Sequence, residues 1–232
     1  MEPVILAGGE GRRLRPVISD VPKPMARVAG KPFLEILMEY WISQGIRRFV
    51  LAVGYKHDMI EKHFGSRYKN ADIVYSVEEK LLGTGGGLVL ALSRLTDEAP
   101  FLVLNGDTYF EVPLGDMIAF HNKKNAEWTI ALAESAEKGR YGSVKLEEGG
   151  RITGIQTDAA QSKRRLINGG VYLINRNLFA KPFIKSGEKK SIETEIIPAF
   201  TREKKRMYGL ISEARFVDIG IPHDYEKASS MF

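Results

Sequence analysis

Short apolar segments alternate with helical segments through the first half of the chain, and this alternation restricts the fold more than any other feature. Segments rich in Val, Ile, Leu and Phe predict strands at Pro3–Ala7, Phe49–Val53, Ile73–Val77 and Phe101–Leu104. The stretches between them predict helices at Pro32–Ser43, Asp58–Phe64 and Gly86–Leu95. Such a β-α-β rhythm is typical of a mostly parallel sheet with helices on both faces.

The second half follows a different pattern, in which short strands are separated by turns that contain glycine. Strands are predicted at Trp128–Ala133, Ser143–Leu146, Arg151–Ile155 and Val171–Ile174. Helices are predicted at Pro113–Lys124, Glu193–Phe200 and Asp224–Met231. We expect these strands to form a small β-rich extension packed on the parallel sheet, because 232 residues suit one large domain better than two.

Composition excludes several classes of protein. The chain has no cysteine, which rules out disulfide scaffolds, thiol nucleophiles and Cys-ligated zinc, and which fits a reducing compartment. Its longest apolar runs are far too short to span a bilayer, and no basic segment precedes Val4 as in a signal peptide. We therefore expect a soluble cytoplasmic protein with no membrane partner.

Positive charge is concentrated in one region. The net charge is +5, but residues 138–206 contain 16 Lys and Arg against 7 Asp and Glu. A basic patch can attract nucleic acid or a small anionic substrate. The region contains no recognisable nucleic-acid module, so we expect small-molecule substrates and no nucleic acid.

A glycine-rich and arginine-rich segment directly follows the first predicted strand. It runs from Leu6 to Pro16 as LAGGEGRRLRP, and Pro22-Lys23-Pro24 comes shortly after it. Glycines let backbone N–H groups approach an anion closely, and ligands of open α/β sheets bind at the carboxyl ends of strands. The segment matches neither the P-loop nor the complete dinucleotide-binding pattern. It predicts a phosphate-sized electropositive site.

The segment Leu6–Met25 resembles the signature of the sugar-1-phosphate nucleotidyltransferases, which is roughly L-A-G-G-x-G-[TS]-R-L-x-P followed by P-K-P. Arg12 stands where the family has Thr or Ser. Further matches to the family follow in order along nearly the whole chain, at Leu82–Gly86, Asn105–Asp107, Tyr141–Gly142, Asn168–Tyr172, Ser191–Glu193 and Asp218–Pro222.

This resemblance implies a Rossmann-like α/β/α sandwich with a mostly parallel central sheet. It also implies an enzyme that joins a nucleoside triphosphate to a sugar 1-phosphate and releases pyrophosphate. One domain, 1–232, would consist of a nucleotide-binding half, 1–125, and a sugar-phosphate-binding half, 126–232. The resemblance gives no oligomeric state.

The expected chemistry needs cations and a metal more than a general base, because a sugar phosphate is already an anionic nucleophile. Asp107 and Asp218 are the expected Mg²⁺ ligands, since carboxylates with substrate phosphates suit this hard cation. Arg13 and Lys23 are expected to hold the triphosphate, and these four residues form the predicted catalytic set. The four histidines lie at no metal-ligand spacing.

The family match assigns further binding residues. The nucleotide is expected to contact Leu6, Ala7, Gly8, Gly9, Gly11, Arg12, Arg13, Lys23, Glu78, Gly83 and Thr84. The sugar phosphate is expected to contact Asn105, Gly142, Asn168, Gly169 and Glu193. Two of these assignments have structural alternatives, because Arg12 is as well explained as a surface residue and Glu193 could instead stabilise a helix N-terminus.

Within the family, several motifs look most like guanylyltransferases that act on a manno-configured heptose 1-phosphate. These motifs are Asn105–Phe110, Ile167–Tyr172 and Asp218–Tyr225. Glu78 favours GTP, since a carboxylate can accept both N1–H and the 2-amino group of guanine; alternatively, it is a solvated charge after a strand. Mannose or glucose 1-phosphate with GTP, UTP or dTTP is an alternative, as is a sensor without catalytic activity.

The chain departs from the family at the anchor for the sugar phosphate. After a strand such as 152–155 the family usually has Glu-Lys, whereas this chain has Thr157 and Asp158. A dianionic substrate still needs a cation. We expect a replacement from Lys163, Arg164 or Arg165, with preference for the latter two because they are nearer the Asn168 turn.

Overall fold

Four parallel strands form the centre of a ten-stranded sheet in the computed structural model, which describes residues 1–135, 142–156, 165–179 and 187–232. The strands are β1 (Pro3–Ala7), β2 (Arg27–Val28), β3 (Lys31–Pro32), β4 (Arg48–Val53), β5 (Arg67–Tyr68), β6 (Ala71–Val77), β7 (Phe101–Asn105), β8 (Thr108–Phe110), β9 (Trp128–Ser135), β10 (Ser143–Leu146), β11 (Ile152–Gln156), β12 (Arg165–Ile174), β13 (Met207–Ile211) and β14 (Phe216–Asp218). The helices are α1 (Phe33–Ser43), α2 (His57–Phe64), α3 (Gly83–Ala91), α4 (Leu114–Lys123), α5 (Ile197–Arg202) and α6 (Pro222–Ala228). A π-helical turn, Ile192–Ile196, leads directly into α5.

The first half has the predicted parallel order. Strand β1 lies between β4 and β7, and β6 continues the sheet beyond β4, all in parallel register. Alternate residues of these strands face opposite layers, so that Ile5 and Leu51 pack with α1 while Val4 and Val50 pack with α3. The predicted α/β/α sandwich is confirmed.

The second half forms the predicted β-rich extension, and it joins the parallel sheet by backbone pairing at the β7 edge. Strand β12 pairs antiparallel with β7 along one edge and with β9 along the other. Strand β13 then pairs parallel with β9, while β10 and β11 continue from the first edge of β12. Backbone pairing therefore joins the two halves into one sheet.

No helix in the described part of the chain has both the length and the apolar character that a membrane span needs.

The family-motif residue Gly169 has a packing role in β12, because a β-carbon there would lie 2.5 Å from the Phe110 ring and 2.9 Å from the Ala131 carbonyl oxygen. Strand β12 consequently passes close to β8, and β8 leads directly from Asp107.

His121 on α4 is a buried histidine. Its Nδ1 lies 2.8 Å from Thr129 Oγ1 and its Nε2 lies 3.0 Å from Asn175 Oδ1. Burial lowers the pKa of His121, and the hydrogen bond to Asn175 only partly opposes this shift. The native fold therefore favours the neutral ring.

We predict that acid weakens the fold through His121. Below the ordinary histidine pKa of about 6.5, the unfolded chain takes up a proton that the native ring resists. The free energy of unfolding in urea should therefore fall as the pH is lowered through about 6.5. Part of this fall should be absent in His121→Gln. Equal falls in the variant and the wild type would contradict the assignment.

Candidate active site

A cavity of about 640 Å³ opens at the carboxyl ends of the central parallel strands. Most residues predicted for the site line it, namely Leu6, Ala7, Gly8, Gly9, Gly11, Arg12, Arg13, Lys23, Glu78, Gly83, Thr84, Asn105, Asp107, Gly142, Asn168, Glu193 and Asp218. These residues come from both halves of the chain. The cavity thus lies where a ligand of an open α/β sheet is expected.

Two of the described residues that were predicted for the site are not among those that line the cavity. Arg165 is buried at the start of β12, and Gly169 packs against Phe110. Arg164 lies outside the described residues, as do Thr157, Asp158 and Lys163. Arg165 is consequently poorly placed as the replacement cation for a sugar phosphate.

The structure adds cavity residues that were not predicted to bind either substrate. They are Pro24, Leu81, Gly106, Thr108, Ile155, Lys189 and Gly220. Lys189 matters most because it supplies a positive charge from the second half. Its position four residues before Glu193, next to a family motif, was the signal in the sequence.

The glycine–arginine loop, residues 8–25, forms one wall of the cavity. Leu14 is buried and anchors the loop, and its N–H donates to the Gly11 carbonyl over 2.9 Å. Arg12 and Arg15 both form ion pairs with Glu10. Arg13 has no ion-pair partner among the described residues, so its guanidinium is available to a ligand anion.

Lys23 forms an ion pair with Asp107 at the floor of the cavity. Burial of Asp107 opposes its ionisation, but the Lys23 ammonium outweighs this effect and holds the pKa of Asp107 below its ordinary value. The carboxylate is therefore charged at neutral pH.

Asp107 and Asp218 meet because β8 and β14 pair antiparallel. Asp218 lies opposite Thr108 in this register, and the Ile219 N–H donates to the Asp107 carbonyl over 3.0 Å. The Asp218 carboxylate accepts the Gly220 N–H. Two acids 111 positions apart in the chain thereby line one floor.

The floor fits a divalent cation whose coordination is completed by substrate. No group of three or more His, Cys, Asp or Glu side chains suited to a metal occurs in the described ranges. Two carboxylates with substrate phosphates are nonetheless a common donor set for Mg²⁺. Lys23 supports the fit, since its ammonium already contacts Asp107, and a β-carbon on Gly220 would lie 3.3 Å from its Nζ and 2.6 Å from Asp218 Oδ1.

Glu78 follows β6 and lies half-buried at the cavity. Its Oε2 accepts the Leu82 N–H over 2.7 Å, and a β-carbon on Gly8 or on Gly87 would lie 2.6 Å from its Oε1. Burial raises the pKa of Glu78, while the hydrogen bond from Leu82 opposes the rise. The glycines on either side leave room for this carboxyl group.

Glu193 links the two halves of the chain at the opposite wall. Its Oε2 accepts hydrogen bonds from Thr84 Oγ1 and Ser191 Oγ, each 3.0 Å long. The helix start is capped by other groups, since Ser191 Oγ accepts the Thr194 N–H and Glu195 accepts the Ser191 N–H. Glu193 thus joins Thr84 of the first half to the N-cap residue Ser191 at the cavity wall.

Asn168, on β12, lines the cavity and is held in place by two hydrogen bonds. Its Nδ2 donates to the buried Tyr172 hydroxyl over 2.8 Å, and its Oδ1 accepts the Gly170 N–H over 3.0 Å. Asn105 lies beside this turn, where its amide and β-carbon would be within about 3 Å of a β-carbon on Gly170. The two asparagines thus contribute neighbouring polar side chains to the cavity lining.

Comparison with known proteins identifies a family for this chain. A family model described as Nucleotidyl transferase matches residues 2–232. The D-glycero-alpha-D-manno-heptose 1-phosphate guanylyltransferase of Aneurinibacillus thermoaerophilus is 43% identical over 98% of this chain and 96% of its own length. The Campylobacter jejuni protein of the same name is 36% identical over 97% of each chain.

A solved structure gives the same result. HddC from Yersinia pseudotuberculosis, crystallised in complex with GMP-PN, superposes with a TM-score of 0.86. It is 34% identical in sequence, and the match covers 100% of this chain and 99% of that one. With the family model spanning the sheet, the glycine–arginine loop and both aspartates, the chain belongs to the nucleotidyl transferase family.

Proposed function

We propose that the protein joins GTP to D-glycero-α-D-manno-heptose 1-phosphate, giving GDP-heptose and pyrophosphate. The observation that carries this proposal is the single cavity where an arginine-rich loop, two aspartates and Glu193 converge. The names of the relatives that are 43% and 36% identical supply the choice of heptose and of guanine. Mannose or glucose 1-phosphate is the second candidate for the sugar substrate.

In this proposal a phosphate oxygen of the sugar 1-phosphate attacks the α-phosphorus of GTP. The new O–P bond forms as the bond between the α-phosphorus and the bridging oxygen breaks, and that electron pair leaves with pyrophosphate. Arg13 and Lys23 lie on the loop side, where they would hold the triphosphate and stabilise the leaving group. No proton needs to be removed from the nucleophile.

Mg²⁺ would be held by Asp107 and Asp218. When bound, it would neutralise charge on the reacting phosphates. For Asp107 to take part, Lys23 must turn from its carboxylate toward the triphosphate. The proposed ligand set therefore gives Lys23 two partners, Asp107 in the free protein and phosphate in the complex.

A cytoplasmic location and small-molecule partners belong to the same proposal. The chain has no cysteine, as suits a reducing compartment, and its cavity is of a size typical for small ligands.

A panel of four nucleoside triphosphates against several sugar 1-phosphates tests the proposal. Pyrophosphate release, read as phosphate through a coupled pyrophosphatase, should be fastest for GTP with the heptose. A faster reaction with another pair would replace the substrate assignment. Binding of nucleotide without pyrophosphate release from any pair would instead favour a sensor.

We predict that Asp107→Asn and Asp218→Asn each remove most activity. Loss of one charged ligand should raise the barrier by about 3–4 kcal/mol, equivalent to roughly a hundred- to a thousand-fold in rate. Turnover at saturating Mg²⁺ measures the effect, and thermal unfolding establishes that the variants fold. Near-normal turnover of a folded variant would refute the metal assignment.

Base selection is assigned to Glu78. Guanine presents N1–H and the 2-amino group side by side, whereas uracil and thymine present one N–H between two carbonyls that would repel a carboxylate. The Glu78 carboxyl group is half-buried at the cavity and is positioned by the Leu82 N–H. Because this carboxyl group is partly removed from water, a base that leaves it without a hydrogen-bond donor costs more free energy than it would at an exposed site.

We predict that Glu78→Gln lowers the ratio of kcat/KM for GTP to that for dTTP. The amide oxygen can still accept the Leu82 N–H, so the loop should keep its conformation while one paired acceptor for guanine is lost. Glu79→Gln, at the exposed neighbour that does not line the cavity, is the matched control. An unchanged ratio in Glu78→Gln would assign the residue a structural role alone.

The sugar phosphate is assigned to Lys189. Arg12, Arg13 and Lys23 all come from the glycine–arginine loop, whereas Lys189 lines the cavity from the second half. In-line attack brings the sugar phosphate from the side opposite the leaving pyrophosphate. Within the described part of the chain Lys189 has no ion pair, while the neighbouring Lys190 is paired with Glu188 and Glu195.

We predict that Lys189→Met raises KM for the sugar 1-phosphate about tenfold or more and leaves KM for GTP nearly unchanged, as expected for one lost charged contact. Lys190→Met is the matched control, since that ammonium is already paired. The competing candidate is Arg164. A raised sugar-phosphate KM in Arg164→Met, with none in Lys189→Met, would reverse the assignment.

A further inference from the structure

Lys56 has an unusual backbone conformation beside the cavity. It follows β4 and precedes α2, with φ of 52° and ψ of 38°. This left-handed region is disfavoured for residues with a side chain, because the β-carbon crowds the carbonyl oxygen. A strained residue at such a place needs a compensating contact, and strain of this kind concentrates at functional sites.

The compensating contacts of Lys56 are made to the glycine–arginine loop. Its Nζ donates to the carbonyl oxygen of Ser19 over 2.7 Å and to that of Asp20 over 2.8 Å. Hydrogen bonds from a charged donor are stronger than neutral ones. The ammonium thereby holds residues 19 and 20 of the loop near the end of β4.

Tyr55 secures the same loop at two other points. Its N–H donates to the Gly8 carbonyl over 3.1 Å, at the place where the loop leaves β1. Its ring lies 5.3 Å from the Arg15 guanidinium and 5.5 Å from the Lys56 ammonium. The Tyr55–Lys56 pair therefore contacts the loop at Gly8, at Arg15 and at residues 19–20.

The loop depends on such support because most of it is exposed. Between residues 12 and 20 only Leu14 is buried and Ile18 half-buried. Arg13 lies within this exposed stretch and faces the cavity without an ion pair in the described part of the molecule. The position of its guanidinium therefore depends on how firmly the loop backbone is held.

We propose that Lys56 is a positioning residue for the triphosphate, which holds the loop in the form that presents Arg13 and Lys23. The inference rests on the proposed function, in which this loop binds the phosphates of GTP. Lys56 does not line the cavity and is not expected to contact substrate. Its removal should therefore weaken the binding of GTP and spare the sugar phosphate.

The chain provides a matched control at Lys69. Lys69 also has φ of 52°, also follows a tyrosine, and its ammonium lies 5.8 Å from the Tyr68 ring. Its Nζ pairs with Glu39, away from the loop. Lys56→Met and Lys69→Met therefore remove the same charge from residues with the same φ, and only the first removes the contact with the loop.

The experiment measures the dissociation constant of GTP by calorimetry, KM for both substrates, and thermal unfolding. In Lys56→Met we expect the dissociation constant and KM for GTP to rise about tenfold, because the two charged hydrogen bonds that hold the loop in its binding form are lost. KM for the sugar 1-phosphate and the unfolding temperature should match those of Lys69→Met. Lys56→Arg, which restores a charged donor, should recover much of the affinity.

Two results overturn the inference. The first is wild-type affinity for GTP in a folded Lys56→Met. The second is an equal rise in KM for both substrates together with a fall in unfolding temperature that Lys69→Met does not share, because that pattern marks general destabilisation. Failure of the wild-type protein to bind GTP is distinguishable from both, and it would overturn the proposed function and this inference with it.

Discussion

The pairing of β8 with β14 is the constraint on which the rest of the site depends. Asp107 follows the parallel strand β7, and Asp218 is the last residue of the three-residue strand β14 in the second half. The register places Asp218 opposite Thr108, and one backbone hydrogen bond joins Ile219 to Asp107. Without this pairing the two acids would not be held near each other, and the floor of the cavity would lack its pair of carboxylates.

Several of the charges at the cavity are paired within the protein, whereas Arg13 and Lys189 have no ion pair among the described residues. Glu10 pairs with two arginines of the loop, and Lys23 pairs with Asp107. A polyanionic ligand can replace these internal partners with its phosphates, so that binding exchanges one set of ion pairs for another. Such an exchange limits the cost of desolvating bare charges, which is the main penalty for burying ions.

The sequence predicted the parallel half well because each βα unit carries its own signal. Strand bounds agree at Pro3–Ala7, and the loop after it matched a family pattern. The antiparallel pairing of β12 with β7 was not predicted, since the apolar residues of a strand do not specify which strand it pairs with. Lys189 was missed for a similar reason, because its position depends on a close approach between segments far apart in the chain. A β-carbon on Gly83 would lie 2.6 Å from the Lys190 carbonyl oxygen.

In the proposed reaction both substrates occupy one cavity and react directly, without a covalent intermediate on the protein. The stereochemical course at phosphorus tests this claim most directly, with GTP that carries sulfur at the α-phosphate in one known configuration. A single in-line displacement predicts complete inversion at that phosphorus in the GDP-sugar product. Retention of configuration would mean two displacements through a nucleotidylated residue, and it would contradict the account.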